Sequence, residues 1–311
     1  GMITGIVLKL KSLKKSFDFI IDPITYVYGL DPYNDWSIRS WQKVKAEKAD
    51  EILRDNLNIP DNESIPANWI RNTDTSKIEV LSLKKSYKKL SDCYFNNIDS
   101  IKTEVGKKEI TSDYFNNSNI SIFNKNVIDY QLHSLISYFS ESKYSGFDLP
   151  KPSFILSPYF HVYNDTQFEF MIKIWNDFKK QYNENNGAFV FLSTLSYLKS
   201  NLNNIIDYFC GTGIQNLFFW FDDYDEYDAS LNENSDDITP YIEFVVNLNK
   251  HRIALFNMYS GGFSSLLLPF GLTGLINGPG YGLDKKIEPV QGGLPTAQFF
   301  IPTLRKRSTV F

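Results

Sequence analysis

A (β/α)8 barrel of the TIM type is the architecture this 311-residue chain points to, and two observations lead there. The first is the alternation, through the second half, of short apolar runs with amphipathic stretches. The runs are Phe154-Ile155-Leu156, Ala188-Phe189-Val190-Phe191-Leu192, Asn216-Leu217-Phe218-Phe219-Trp220-Phe221 and Arg252-Ile253-Ala254-Leu255-Phe256, with a fifth at Leu272-Thr273-Gly274-Leu275-Ile276. Continuous apolar runs suit strands buried on both faces, and an intervening helix implies parallel pairing. The second is their spacing. Phe154 to Ala188 is 34 residues, Ala188 to Asn216 is 28 and Asn216 to Arg252 is 36, close to the roughly 30 that a strand, a helix and their loops need.

The elements follow in order. Phe19-Ile20-Ile21-Asp22-Pro23 reads as a first buried strand, followed by a turn at Gly29-Leu30-Asp31-Pro32, and 36–57 has a helical pattern rich in Lys and Glu. The stretch 59–121 is polar and rich in Asn and Lys. It reads as a helical and loop insertion, with one candidate strand at Ile78-Glu79-Val80-Leu81. Phe123, Val127, Leu132, Leu135, Ile136 and Phe139 recur at helical spacing, predicting a helix from 123 to 142 that Pro150 and Pro152 follow. Phe168, Met171, Ile172, Trp175 and Phe178 form a second stripe with Asp165 or Thr166 as N-cap. A third helix is expected from Asn203, ending at Gly211 or Gly213, and a fourth from Asp236-Asp237 with Pro240 in its first turn. A short helix fits 264–270 and a last strand 297–301. Runs near 19, 78, 154, 188, 216, 252, 272 and 297 make eight, the number that closes such a barrel as one domain over 1–311. An open, doubly wound parallel sheet is the alternative.

Composition narrows the function classes. Formal net charge is −4, which gives no broad attraction to nucleic acid. The two cysteines form no C-x-x-C pair, and three scattered histidines argue against a histidine-rich metal centre. The start, Gly1-Met2-Ile3-Thr4, lacks a signal-peptide core and no run reaches the length of a membrane span. The expectation is a soluble, cytoplasmic protein without a membrane partner; nothing in the sequence sets its oligomeric state.

Parallel α/β folds gather their chemistry at the carboxyl ends of their strands. Asp222 ends the run at Leu217 and is followed by Asp223 and Asp225; Asp22 ends the first strand within Ile-Ile-Asp-Pro. Crowded or poorly solvated carboxyl groups can hold one acid protonated and another ionised, as acid–base work on a glycosidic bond requires. Asp22 and Asp222, facing each other across a barrel mouth, are the candidate catalytic pair. Tyr26, Tyr159, His161, Ser193, Asp223, Asp225, Asn257 and Tyr259 are candidate contacts for a polar small molecule. Glycine lets backbone N–H groups approach an anion, so Gly261, Gly262, Asn277 and Gly278, with Lys285, are candidates to hold a sugar or phosphate.

The leading expectation is an enzyme acting on a glycosidic or sugar-phosphate-like substrate, a glycoside hydrolase or a glycosyl or base transferase, which needs no bound cofactor. A second reading is a non-catalytic barrel that binds nucleic acid or a protein through the insertion, Trp36, Trp41, Trp69 and the basic Arg305-Lys306-Arg307. A third is a Mg²⁺-dependent phosphohydrolase using Asp222, Asp223 and Asp225.

Overall fold

The apolar runs become a parallel sheet. The computed structural model describes residues 19–30, 41–60, 63–66, 69, 85–140, 151–224, 238–259, 262–276, 298–301 and 306–309. Strands β1 (Ile155–Leu156) and β2 (His161–Val162) both pair with β3 (Gly187–Ser193), which pairs in turn with β4 (Asn216–Phe221), then β5 (Ala254–Met258) and β6 (Gly274–Ile276), every pair parallel. Ahead of β1, Ile20 makes a parallel bridge to Phe154. Among the described residues the strands of this sheet stand in chain order, without the reversal that a doubly wound sheet has at its switch point.

The sheet curls into a half-barrel. Two strands, β3 and β4, lie between β1 and β5, so a flat sheet would hold β1 and β5 about 14 Å apart. Yet the rings of Phe154, at the start of β1, and Phe256, on β5, lie 5.0 Å apart, and Phe218 of β4 meets both at 5.2 and 4.7 Å. These three side chains fill the concave side. The convex side packs on helices: Phe189 and Phe191 meet Trp175 of α5 (Asp165–Gln181) and Phe209 of α6 (Leu195–Gly211), while Phe219 and Phe221 meet Tyr241 and Phe244 of α7 (Thr239–Lys250). All six residues of β4 are buried, which is why its run carries no alternation.

Among the described residues four α-helices precede the sheet in the chain: α1 (Trp41–Leu57), α2 (Lys85–Tyr94), α3 (Asp99–Lys102) and α4 (Asn117–Ser140). The last of them packs on β1 and on α5. Residues of the stretch read as an insertion share the main core: Phe95 stacks on Phe123 of α4 and packs edge-on against Tyr28. Gln131 of α4 stands in for a neighbouring strand. Its amide donates to Leu156 O and accepts from Leu156 N, both at 2.8 Å.

Several boundaries differ from the sequence expectation. Helix α6 begins at Leu195 and not near Asn203, because Thr194 Oγ1 caps it by accepting from Tyr197 N at 3.0 Å. The helix kinks at Asn201 (φ −127°, ψ 16°), yet the apolar stripe of Leu195, Leu198, Leu202, Ile205 and Phe209 runs through the kink at helical spacing. The N-cap of α5 is Asn164, one residue ahead of the expected Asp165. Arg252, at φ 61°, belongs to the turn after α7, so β5 starts at Ala254. Between β5 and β6 lie α8 (Gly262–Leu266) and a 3-10 turn ending in Gly271.

The last expected strand does form, as β7 (Gln298–Ile301), but it pairs antiparallel with β8 (Lys306–Thr309) and not with the parallel sheet. Only residues 302–305 connect the two, far fewer than a parallel crossover needs. The count of eight parallel strands therefore does not hold for the described residues. The candidate strand at Ile78-Glu79-Val80-Leu81 lies outside them.

Candidate functional site

One extra residue in the chain sets the orientation of the site. Leu156 pairs with Ala188 and His161 with Leu192, so five steps along the first strand match four along β3. This is a bulge between β1 and β2, spanning Ser157-Pro158-Tyr159-Phe160. Unbroken alternation from Leu156 would aim His161 at the helices. The bulge restores it to the face of its partners Leu192 and, one strand further, Trp220. Phe160 then points to the helical side, among Phe115, Phe123 and Phe170. Thr25 locks the bulge: its hydroxyl donates to Tyr159 O and accepts from Tyr159 N, each at 2.7 Å.

Asp22 occupies one side of the concave mouth. Its Oδ1 accepts from Ile24 N at 2.9 Å and from the Tyr159 hydroxyl at 2.7 Å; its Oδ2 accepts from the Tyr259 hydroxyl. Burial, and next the charge of Asp22, push both phenols well above their usual range, so both stay protonated as donors. Two backbone outliers frame this carboxylate. Ile24 sits at φ 44°, costly for a β-branched residue, and Tyr259 at φ 55°. Tyr259 follows β5, and the left-handed turn swings its ring inward onto Trp220, at 4.9 Å between centroids. Tyr26 completes the group, stacked on Tyr159 at 5.6 Å and edge-on to Trp220 at 5.7 Å. Strained non-glycine residues cluster where a structure holds a functional constellation against local preference.

Asp222 follows Trp220 by two residues, just past the end of β4. Its backbone N–H donates to Ser193 O at 3.1 Å, extending the ladder past β4. Its Oδ1 stands 3.1 Å from His161 Nε2, reaching over β3 from one neighbour strand to the other. Both atoms are shut off from solvent, and neither has an aligned hydrogen-bond partner. Buried polar atoms are nearly always bonded, so an orphan acceptor and an orphan ring nitrogen in contact call for explanation. Tyr163, half exposed, places its ring 5.4 Å from that of His161.

The structure thus groups Asp22, Tyr26, Tyr159 and Tyr259 with Trp220, and sets His161 against Asp222, two residues beyond Trp220. Other expected site residues have structural posts. Asp223 turns to the start of α6, accepting from Leu195 N at 2.6 Å and from Ser196 N at 3.4 Å. Ser193, fully buried, donates to Val162 O at 2.6 Å. Asn257 points to the helical side, where it bonds the hydroxyls of Tyr241, at 2.6 Å, and Ser264. Gly262 begins α8, while Asp225, Gly261, Asn277, Gly278 and Lys285 lie outside the described residues. Among the described residues no three His, Cys, Asp or Glu side chains converge as a metal ion would need.

Trp220, Tyr163 and Thr25 were not singled out from the sequence. Trp220 sits within an all-apolar run that looks like core, and only its register with His161 shows which face it takes. Among the described residues no helix is long and apolar enough to cross a membrane. Compared with protein-family models, curated proteins and solved structures, the chain shows no match.

Proposed function

We propose that this chain is a (β/α)8-type enzyme that cleaves or transfers a glycosidic bond at the concave mouth, with Asp222 and His161 as the proton-transfer pair and Asp22 as a fixed carboxylate. The observation that carries the reading is the 3.1 Å contact between His161 Nε2 and Asp222 Oδ1, buried and without an aligned hydrogen bond. The two contacting atoms are enclosed, but the side chains of His161 and Asp222 keep 16% and 11% of their surface open, so a sugar oxygen or a water would meet the pair through the second carboxyl oxygen of Asp222. Asp22 is different, because its oxygens already receive two phenols and a backbone N–H. That makes it a held charge.

In the first step the proton shared by Asp222 and His161 passes to the glycosidic oxygen. The bond from that oxygen to the anomeric carbon breaks, and its electron pair leaves with the oxygen. The positive charge left on the sugar faces the Asp22 carboxylate, a preorganised electrostatic partner. Water, or an acceptor hydroxyl, then attacks the anomeric carbon and returns a proton to the pair.

The test is hydrolysis of a panel of aryl glycosides by the purified full chain and by Asp222→Asn and Asp22→Asn. Loss of a proton-transfer group costs on the order of 10²–10⁴ in turnover, so Asp222→Asn should fall by that much with its melting temperature preserved. Turnover unchanged in Asp222→Asn overturns the reading.

A further inference from the structure

We infer that Tyr163 is a specificity-determining residue, the platform of an outer subsite that stacks a second sugar of a neutral glycan chain. This rests on the glycosidic reading above and names the substrate class it would take. Singly exposed apolar side chains are ordinary on protein surfaces, but Tyr163 differs from an ordinary one in three respects.

Its place is the first. Tyr163 is 50% exposed, yet its ring lies 5.4 Å from His161, whose Nε2 meets Asp222. A ligand engaged by the pair would extend outward over this ring. The second is rigidity. Val162 is pinned by the Ser193 hydroxyl at 2.6 Å, and Asn164 is pinned as N-cap of α5 through Gln167 N at 3.0 Å. The aromatic ring therefore projects from backbone fixed on both sides, so little ordering is required of it when a ligand arrives. An aromatic ring offers a broad apolar face at low conformational cost.

Charge is the third, and it selects among polymers. Two carboxylates belong to its surroundings: Asp222, in contact with His161, and Asp165, two residues after Tyr163 in the chain, which accepts from the Tyr197 hydroxyl at 2.8 Å. With a formal net charge of −4, the chain offers a phosphodiester backbone no general attraction. Uncharged sugar rings, with an apolar face to stack and hydroxyls to bond, fit both the ring and its acids.

The experiment is calorimetric titration of the full chain, in the Asp222→Asn form so that nothing is hydrolysed, with xylo-, cello-, manno- and chito-oligosaccharides of one to four units. The expected result is an affinity that rises with chain length for one of these series. Tyr163→Ala, added to that form, should lower trisaccharide affinity about tenfold, and Tyr163→Trp should retain it. Equal affinity at every length, no effect of Tyr163→Ala, or binding of none of the four series overturns the inference. These titrations need no turnover. A length-dependent affinity that requires Tyr163 stands even if Asp222→Asn still hydrolyses aryl glycosides, and a loss of hydrolysis in Asp222→Asn stands even if affinity ignores Tyr163.

Discussion

Asp22 is held by two phenols, and each phenol is held by Asp22. Removing either partner should be felt, since a hydrogen bond to a charged group contributes about 1.5–3 kcal/mol. The pH dependence has a definite sign. Burial and the Asp22 charge raise the folded-state values of Tyr159 and Tyr259 above those of the unfolded chain. The stability this adds is fully present below the ordinary phenol value, about 10. It is lost as pH climbs above that, because the unfolded chain releases protons that the folded one retains. Urea unfolding between pH 9 and 11 should show stability falling with pH. In Tyr159→Phe, where one such phenol is gone, the fall should be shallower; an identical slope would refute this account.

The neighbours Asp222 and Asp223 show how one step along the backbone separates a site from a support. Asp222 continues past β4 toward His161, while Asp223 turns back to the first N–H groups of α6. An acid there satisfies orphan donors and complements the helix dipole. Replacing Asp223 by Ala should cost about 1 kcal/mol, read as a lower melting temperature, while leaving Asp222-dependent turnover in place. The bulge between β1 and β2 works at the same level. A single extra residue flips the alternation, and without it His161 would face Trp175 and its neighbours on the helical side. Such a feature leaves no trace in composition, because Ser157-Pro158-Tyr159-Phe160 looks like an ordinary strand exit.

Curvature is a property of the sheet as a whole, and Phe154, Phe218 and Phe256 report it. Phe218 and Phe256 are register partners on adjacent strands, but Phe154, at the β1 end of the sheet, meets both only because the sheet is rolled. Truncating the middle one, Phe218→Ala, should cost about 3–5 kcal/mol, measured by denaturant unfolding. It removes the contact to both partners at once and leaves a cavity on the concave side. The curl also explains how Tyr259, beyond β5, reaches Asp22, which follows the segment bridged to Phe154. The mouth exists because the sheet bends.

Local pattern was sufficient for the parallel β–α alternation of residues 154–276: the runs at Ala188 and Asn216, the stripes of α5 and α7, and Pro240 at the start of α7 all follow from periodicity and capping chemistry. It was also sufficient to mark Asp22, Tyr159, His161, Asp222 and Tyr259 as polar residues at strand exits. It could not say that Asn257 and Ser193 face away from the mouth, that Asp223 caps a helix, or that β7 turns back on β8. Those outcomes depend on which neighbour each backbone meets: a bulge that shifts side-chain phase by one, and a turn at Tyr259 in the left-handed region. Sequence period assigns residues to elements; the direction a side chain finally takes is a balance of contacts between segments more than a hundred residues apart, and only the folded chain sets it.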